Sequence, residues 1–257
     1  MRIILIVIII FISVGVSVYY FFTKKEYTSK PLDTTAPRSL NMNERIELTT
    51  KDNVKIVGDY YPAEGSRQGV LLLHMMPRDR KSWVVFAEKL QRSGLPVLAI
   101  DLRGHGESQG GPDGYKSFSD TQHQDSRLDV LAGALFLRSK QVDEFHLIGA
   151  SIGANLALQY ASEHPNARSA ILLSPGIEYR GLKTMGLIEN VPPSRGIFLV
   201  ASDDDEYSRD SVNELASRIT LDEHHKLKIF ESGGHGTNIF ENHPEFMDEL
   251  VEWLKQF

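Results

Sequence analysis

From about residue 44 onward, short runs of Val, Ile, Leu, Ala and Phe alternate with longer segments in which apolar residues return every three or four positions. The runs at 70–74, 97–101, 145–149, 170–174, 197–201 and 227–230 are too uniformly apolar for strands with one wet face, and they predict strands buried on both faces. Two segments before them, 45–50 and 54–61, are split by the turn-like pair Asp52-Asn53 and predict an opening hairpin. Helical periodicity marks 83–92, 125–137, 152–164, 211–219 and 244–256. Strand and helix alternating in this way predict an α/β fold, a mainly parallel, roughly eight-stranded sheet with helices on both faces. Chemistry in such a sheet collects in the loops beyond the carboxyl ends of the strands.

The first residues follow another pattern. Positions 3–22 carry no charge, about the length an α-helix needs to cross a bilayer, and Lys24 and Lys25 close the run. Tyr19, Tyr20, Phe21 and Phe22 resemble the aromatic belt at the end of a span. The reading is a transmembrane anchor over 1–23 that tethers the protein as a single-pass membrane protein, with secretion after signal cleavage as the alternative. A polar, proline-containing linker over 24–43 follows, and a single catalytic domain occupies 44–257.

Composition narrows the function. Lys and Arg number 28 against 34 Asp and Glu, a formal net charge of -6, and no basic stripe is present, so nucleic acid is not an expected partner. Cysteine is absent, which removes disulfides, thiolate metal sites and a cysteine nucleophile. No metal-ligand spacing stands out: the adjacent His224 and His225 lack an HExxH-like context, and neither cofactor nor metal is expected. The pattern does not reveal an oligomeric state.

The segment HLIGASIGANLAL holds the main chemical signal. A buried strand runs into a helix through a turn that leaves room only for small residues. Gly149 and Gly153 flank Ser151, with Ala150 and Ala154 beside them. Such a turn strains its central residue and projects its side chain clear, while the new helix aims free N–H groups at the same point. Ser151 is therefore the candidate nucleophile. A serine hydroxyl needs a base, and the base needs an orienting acid. Downstream, the loop SDDDEYS follows one predicted strand and ESGGHGTN follows the next, so that an acid and then His235 sit past their own strands.

With GASIG as nucleophile elbow and the order serine, acid, histidine, the chain resembles the α/β-hydrolase superfamily over nearly everything after the linker. The resemblance implies hydrolysis of an ester or related acyl bond through an acyl-enzyme, on a small-molecule ester or acyl substrate. Relatives often read Gly-x-x-Asp in the acid loop. Aligning Ala201 with that glycine makes Asp204 the acid, with Asp205 next in line. The oxyanion donors it implies are the backbone N–H groups of Ile152 and Met76, the latter from His74-Met75-Met76, where relatives commonly show His-Gly-x. Met75 and Met76 are expected to line an apolar acyl pocket. The segment DLRGHGES, 101–108, also matches the superfamily and is read as structural, with Arg103 paired to a carboxylate and His105 outside the triad. Between the strands at 170–174 and 197–201 there is no room for a large helical cap, so the site should be open or covered only by residues 176–193. Two other classes share these features: a peptidase acting on short peptides with the same triad, and an inactive scaffold serving as a binding module.

Overall fold

The computed structural model describes residues 43–257. In chain order the strands are β1 (Glu44–Thr49), β2 (Lys55–Tyr61), β3 (Gln68–Leu73), β4 (Val97–Ile100), β5 (Glu144–Ala150), β6 (Ala167–Leu173), β7 (Glu178–Tyr179), β8 (Leu182–Lys183), β9 (Gly196–Ser202) and β10 (His225–Phe230). The α-helices are α1 (Val84–Arg92), α2 (Asp120–Gln124), α3 (Arg127–Ser139), α4 (Ile152–Glu163), α5 (Met185–Glu189), α6 (Glu206–Ala216), α7 (Asn238–Asn242) and α8 (Phe246–Leu254). Eight strands form one sheet in the order β1-β2-β4-β3-β5-β6-β9-β10, while β7 and β8 pair as a separate small hairpin. β2 runs antiparallel to β1 and β4, and every pairing from β4 to β10 is parallel.

Why the strands read as unbroken apolar runs is visible in their packing. Along β3, Leu71 and Leu73 face one core and Val70 and Leu72 the other. The first core packs against α3, α4 and α6, through residues such as Leu137, Leu156 and Leu215. The second packs against α1 and α8, through Phe86, Leu90, Leu250 and Trp253. Alternate side chains of the central strands thus enter opposite cores, whereas the edge strands β1 and β10 stay partly exposed, so the double burial expected for 227–230 does not occur.

Burial also extends to charge. Arg103 hydrogen-bonds Asp129 at 2.8 Å and Asp52 at 2.7 Å, the carboxylate pairing expected for it. Arg80 is held by Asp101, Glu107 and Asp59, at 3.0 Å in the last case. His105 is buried, with Nδ1 on the Arg103 carbonyl at 3.0 Å and its ring stacked on Tyr115.

The membrane-anchored localisation read from the sequence is corrected. The apolar run and the linker behind it lie outside the described residues, and among the described residues no helix is long and apolar enough to cross a membrane. The longest of them, α3, has 13 residues, a length of about 20 Å at 1.5 Å per residue against about 30 Å of hydrocarbon.

Buried imidazoles make the fold sensitive to acid. Burial pushes His74, His105 and His146 down to about 4. Between that value and the ordinary 6.5, the unfolded chain binds protons that these sites refuse in the folded state. Stability is therefore full above 6.5 and is lost as the pH falls. Asp129 acts oppositely: burial raises it to about 6 despite Arg103, so below that pH it takes up a proton in the folded state before the unfolded chain does and offsets one of the three. Urea midpoints at pH 7, 5.5 and 4.5 should fall steadily, with about 1.4 kcal/mol per pH unit for each of the roughly two unmatched protons. A midpoint that stays constant across that range would refute the account.

Candidate active site

The turn from β5 into α4 places Ser151 at φ 55° and ψ -121°, a conformation that costs a side-chain-bearing residue on the order of 1–3 kcal/mol. Its N–H donates to the Leu173 carbonyl at 2.8 Å, and its own carbonyl accepts from Ala154 N–H at 2.8 Å. The flanking glycines are a steric requirement. A Cβ on Gly149 would stand 2.0 Å from the Gly153 carbonyl oxygen, and a Cβ on Gly153 would stand 2.3 Å from that of Leu73.

The two backbone donors expected from the sequence are both unpaired. Among the described residues, neither the N–H of Ile152, the first residue of α4, nor that of Met76 donates to a protein acceptor. His74 fixes the loop that carries Met76. Its Nε2 accepts from Leu102 N–H at 3.0 Å, so Nδ1 carries the proton and donates to the Met75 carbonyl at 3.0 Å. Met75, which stands where relatives have glycine, is not among the residues of positive φ, so its side chain costs the loop no strain. That side chain differs from expectation. Met75 is buried in the core, its sulfur against the backbone of Gly236, so it supports the His235 loop from beneath and does not line an open acyl pocket. Met76 is half-buried.

The carboxylate that meets His235 is Asp205, one position beyond the expected Asp204. His235 Nδ1 lies 2.7 Å from Asp205 Oδ2, whereas Asp204 turns to the backbone and accepts from the N–H groups of Gly233 and Gly234, at 3.0 Å in the closest case. A carboxylate only accepts, so Nδ1 carries a proton and donates it to Asp205. Burial raises the Asp205 carboxyl, but hydrogen bonds from His235 and Ser208 and the attraction of the imidazole outweigh it and leave the group below its usual range. Asp204 instead anchors the loop, together with Ser202, whose hydroxyl donates to the Gly234 carbonyl at 3.1 Å.

Three residues that no sequence motif marked complete the cluster. Ser174, at φ 50° directly after β6, accepts from Gly236 N–H at 2.9 Å and also meets Asp205. Ser208 Oγ lies 3.5 Å from His235 Nδ1. Tyr179, at the end of β7, has its hydroxyl 3.3 Å from Ser208 Oγ and interacts with Ser151. Its ring meets that of His235 edge-on at 6.3 Å. The sequence had placed Ser174 at the end of a predicted strand, Ser208 at the end of the acidic loop and Tyr179 in the covering segment, without marking any of them as part of the site. A cavity of about 650 Å³ opens beside these loops, walled by Pro77, Phe86, Thr237, Phe240 and Met247, but Ser151, Asp205 and His235 do not border it.

Comparison with known proteins agrees with this architecture. Residues 69–195 match a family model described as the alpha/beta hydrolase fold. A monoacylglycerol lipase of Xenopus laevis is 27% identical over 172 residues, covering 64% of this chain and 48% of its own length. A proline iminopeptidase of Saccharolobus solfataricus is 27% identical over 179 residues, covering 68% and 51% respectively. The chain thus spans about half the length of each. Among solved structures, an esterase of Pyrococcus furiosus superposes with a TM-score of 0.71 at 22% identity, over 85% of this chain and 93% of that one.

The steric requirement at the turn can be measured directly. Gly153→Ala should lower the unfolding free energy by about 3 kcal/mol, because the new Cβ must displace backbone and not a movable side chain. Gly186→Ala, at a position with open space around its Cβ, is the control and should change stability by less than about 0.5 kcal/mol. Equal midpoints for the two variants would show that the turn yields.

Proposed function

Because the chain belongs to the α/β-hydrolase superfamily, we propose that it is a serine hydrolase that cleaves an ester or related acyl bond through an acyl-enzyme. The observation that supports this most is Ser151, held in a strained turn at a helix N-terminus, in one cluster with a histidine whose protonation is set by a carboxylate. In this reading His235 Nε2 takes the proton as Ser151 Oγ attacks the acyl carbon. The N–H groups of Ile152 and Met76 receive the negative charge that develops on the acyl oxygen. His235 then returns the proton to the departing alcohol, and water repeats the cycle on the acyl-serine. Asp205 keeps the imidazole in the required tautomer and stabilises its charge.

The residues between β6 and β9 carry only the β7–β8 hairpin and the short α5, so substrate reaches the site beneath a small roof. Small-molecule esters, including lipid esters such as those named for the Xenopus relative, are the proposed substrate class. Cleavage of short peptides is the second reading, favoured by the iminopeptidase relative. A panel of p-nitrophenyl esters and amino-acid p-nitroanilides separates the two, since faster turnover of the anilides would reverse the preference. An inactive scaffold would fail to react with a fluorophosphonate.

Three substitutions test the assignment. Ser151→Ala should lower kcat by about a million-fold and abolish fluorophosphonate labelling. Asp205→Asn should cost about ten-thousand-fold by selecting the wrong imidazole tautomer. Asp204→Asn, which weakens only the anchoring of the loop, should cost about tenfold. If Asp204→Asn proves the more damaging of the two, the catalytic acid is not the one that touches His235 in this structure.

A further inference from the structure

We propose that the Tyr179 hydroxyl is a further catalytic group, a donor to the leaving-group oxygen during cleavage of the acyl bond. The inference rests on the serine-hydrolase reading above and adds the group that acts on the alcohol side of the substrate.

The placement of Tyr179 is built, not incidental. It ends β7 at a two-residue turn, Arg180-Gly181, in which both residues have positive φ, 52° and 80°. Such a turn matches the twist of a hairpin and fixes its register, Tyr179 opposite Leu182. The hairpin is tied to α4, the helix that begins beside Ser151. Asn155 Nδ2 donates to the carbonyls of Gly176 and Leu182 at 3.0 and 2.8 Å, and Asn155 Oδ1 accepts from Gly176 N–H at 3.1 Å. On the other side it is tied to α6, which follows Asp205. The Tyr207 hydroxyl donates to the Glu178 carbonyl at 2.8 Å, and Ser211 Oγ accepts from Ile177 N–H at 3.1 Å. The tyrosine is therefore held against both halves of the catalytic apparatus by groups that are themselves fixed.

Chemistry then selects its role. The two proposed oxyanion donors come from the start of α4 and from the loop after β3, whereas the Tyr179 hydroxyl meets Ser151 itself, is steadied by Ser208 at 3.3 Å, and its ring stands perpendicular to that of His235 at 6.3 Å. The alcohol oxygen must depart on the side of His235, because Nε2–H supplies its proton. Burial raises the Tyr179 hydroxyl above its ordinary value, so it remains an O–H donor across the working range. In the step itself the acyl carbon–oxygen bond breaks and its electron pair goes to the leaving oxygen. The Nε2 proton transfers to that oxygen, and the Tyr179 proton stays on tyrosine as a hydrogen bond that strengthens while the oxygen carries charge. No redox partner or further reactant is required.

The test uses the full chain and the variant Tyr179→Phe, which keeps the ring and its packing. Ethyl butyrate, whose alkoxide needs proton delivery, should lose about thirtyfold in kcat/KM, the worth of one hydrogen bond to a charged oxygen. The p-nitrophenyl ester of the same acid departs as a stable phenolate and should lose less than about threefold by the same reasoning. Fluorophosphonate capture at Ser151 should persist, and the thermal midpoint should not move. An equal loss on both esters, or no loss on either, overturns the role of Tyr179 while leaving the serine-hydrolase reading in place. A wild-type protein inert toward both esters and the fluorophosphonate overturns that reading, and the inference with it.

Discussion

Three backbones meet where the chemistry is assembled, and they meet without side-chain volume between them. The carbonyl of Gly153 occupies the space a Cβ on Gly149 would need, and the carbonyl of Leu73 occupies that of Gly153. The end of β3, the end of β5 and the start of α4 are thereby pressed together. One consequence is the conformation of Ser151: with both neighbours fixed, the chain turns from strand to helix within one residue, and that residue takes a φ of 55°. Another is the position of the loop after β3, which begins at the point of contact, with the Leu73 and His74 carbonyls against Gly153. The strain at Ser151, about 1–3 kcal/mol, is tolerated because a sheet covered on both faces cannot relax around it.

A polar frame under the first loop keeps this arrangement from drifting. His74 ties the end of β3 to Leu102, and a few residues later Arg80 is tied to Asp101, so the segment between them is pinned at both ends to the residues that follow β4. Asp101 accepts from the Arg80 and Glu107 N–H groups at 2.8 Å each, and Gly106 has no Cβ because that carboxylate fills the space. Arg103 makes the adjoining pair with Asp129. The DLRGHGES segment thus decides where the loop after β3 stands. Burying two guanidinium groups is tolerable because each meets more than one carboxylate, and removing a partner would leave a charge without water.

The central strands were legible because burial on both faces writes an unbroken apolar run, and the turns that carry Ser151 and His235 were legible because they demand glycine. The carboxylate partner of His235 was not, for a specific reason. β9 runs to Ser202, in register with Phe230, one residue beyond the expected end at Ala201, and this shifts the acidic loop so that Asp205 and not Asp204 faces the imidazole. Three adjacent aspartates carry no local mark of such a shift. α6 likewise begins at Glu206 and not at Ser211, since its first turn is polar and shows no apolar period. The β7–β8 hairpin has strands of two residues each, too short for any alternation to register. Its position depends on the buried Asn155, whose role is set by tertiary contacts that no local pattern encodes.

That asparagine joins the two levels of the site. It lies in the first turn of α4, whose N-terminal N–H groups face the reaction, and the same side chain holds the roof through Gly176 and Leu182. Nucleophile and roof therefore share one mechanical reference, and any displacement of α4 carries both together. The acid loop is coupled in the same way, because α6 starts beside Asp205 and grips the hairpin through Tyr207 and Ser211. A roof of this size gains its order from helices that the catalytic loops already fix, without a core of its own. Its tyrosine can then be held against Ser208 and the His235 ring by a hairpin that would be marginal in isolation.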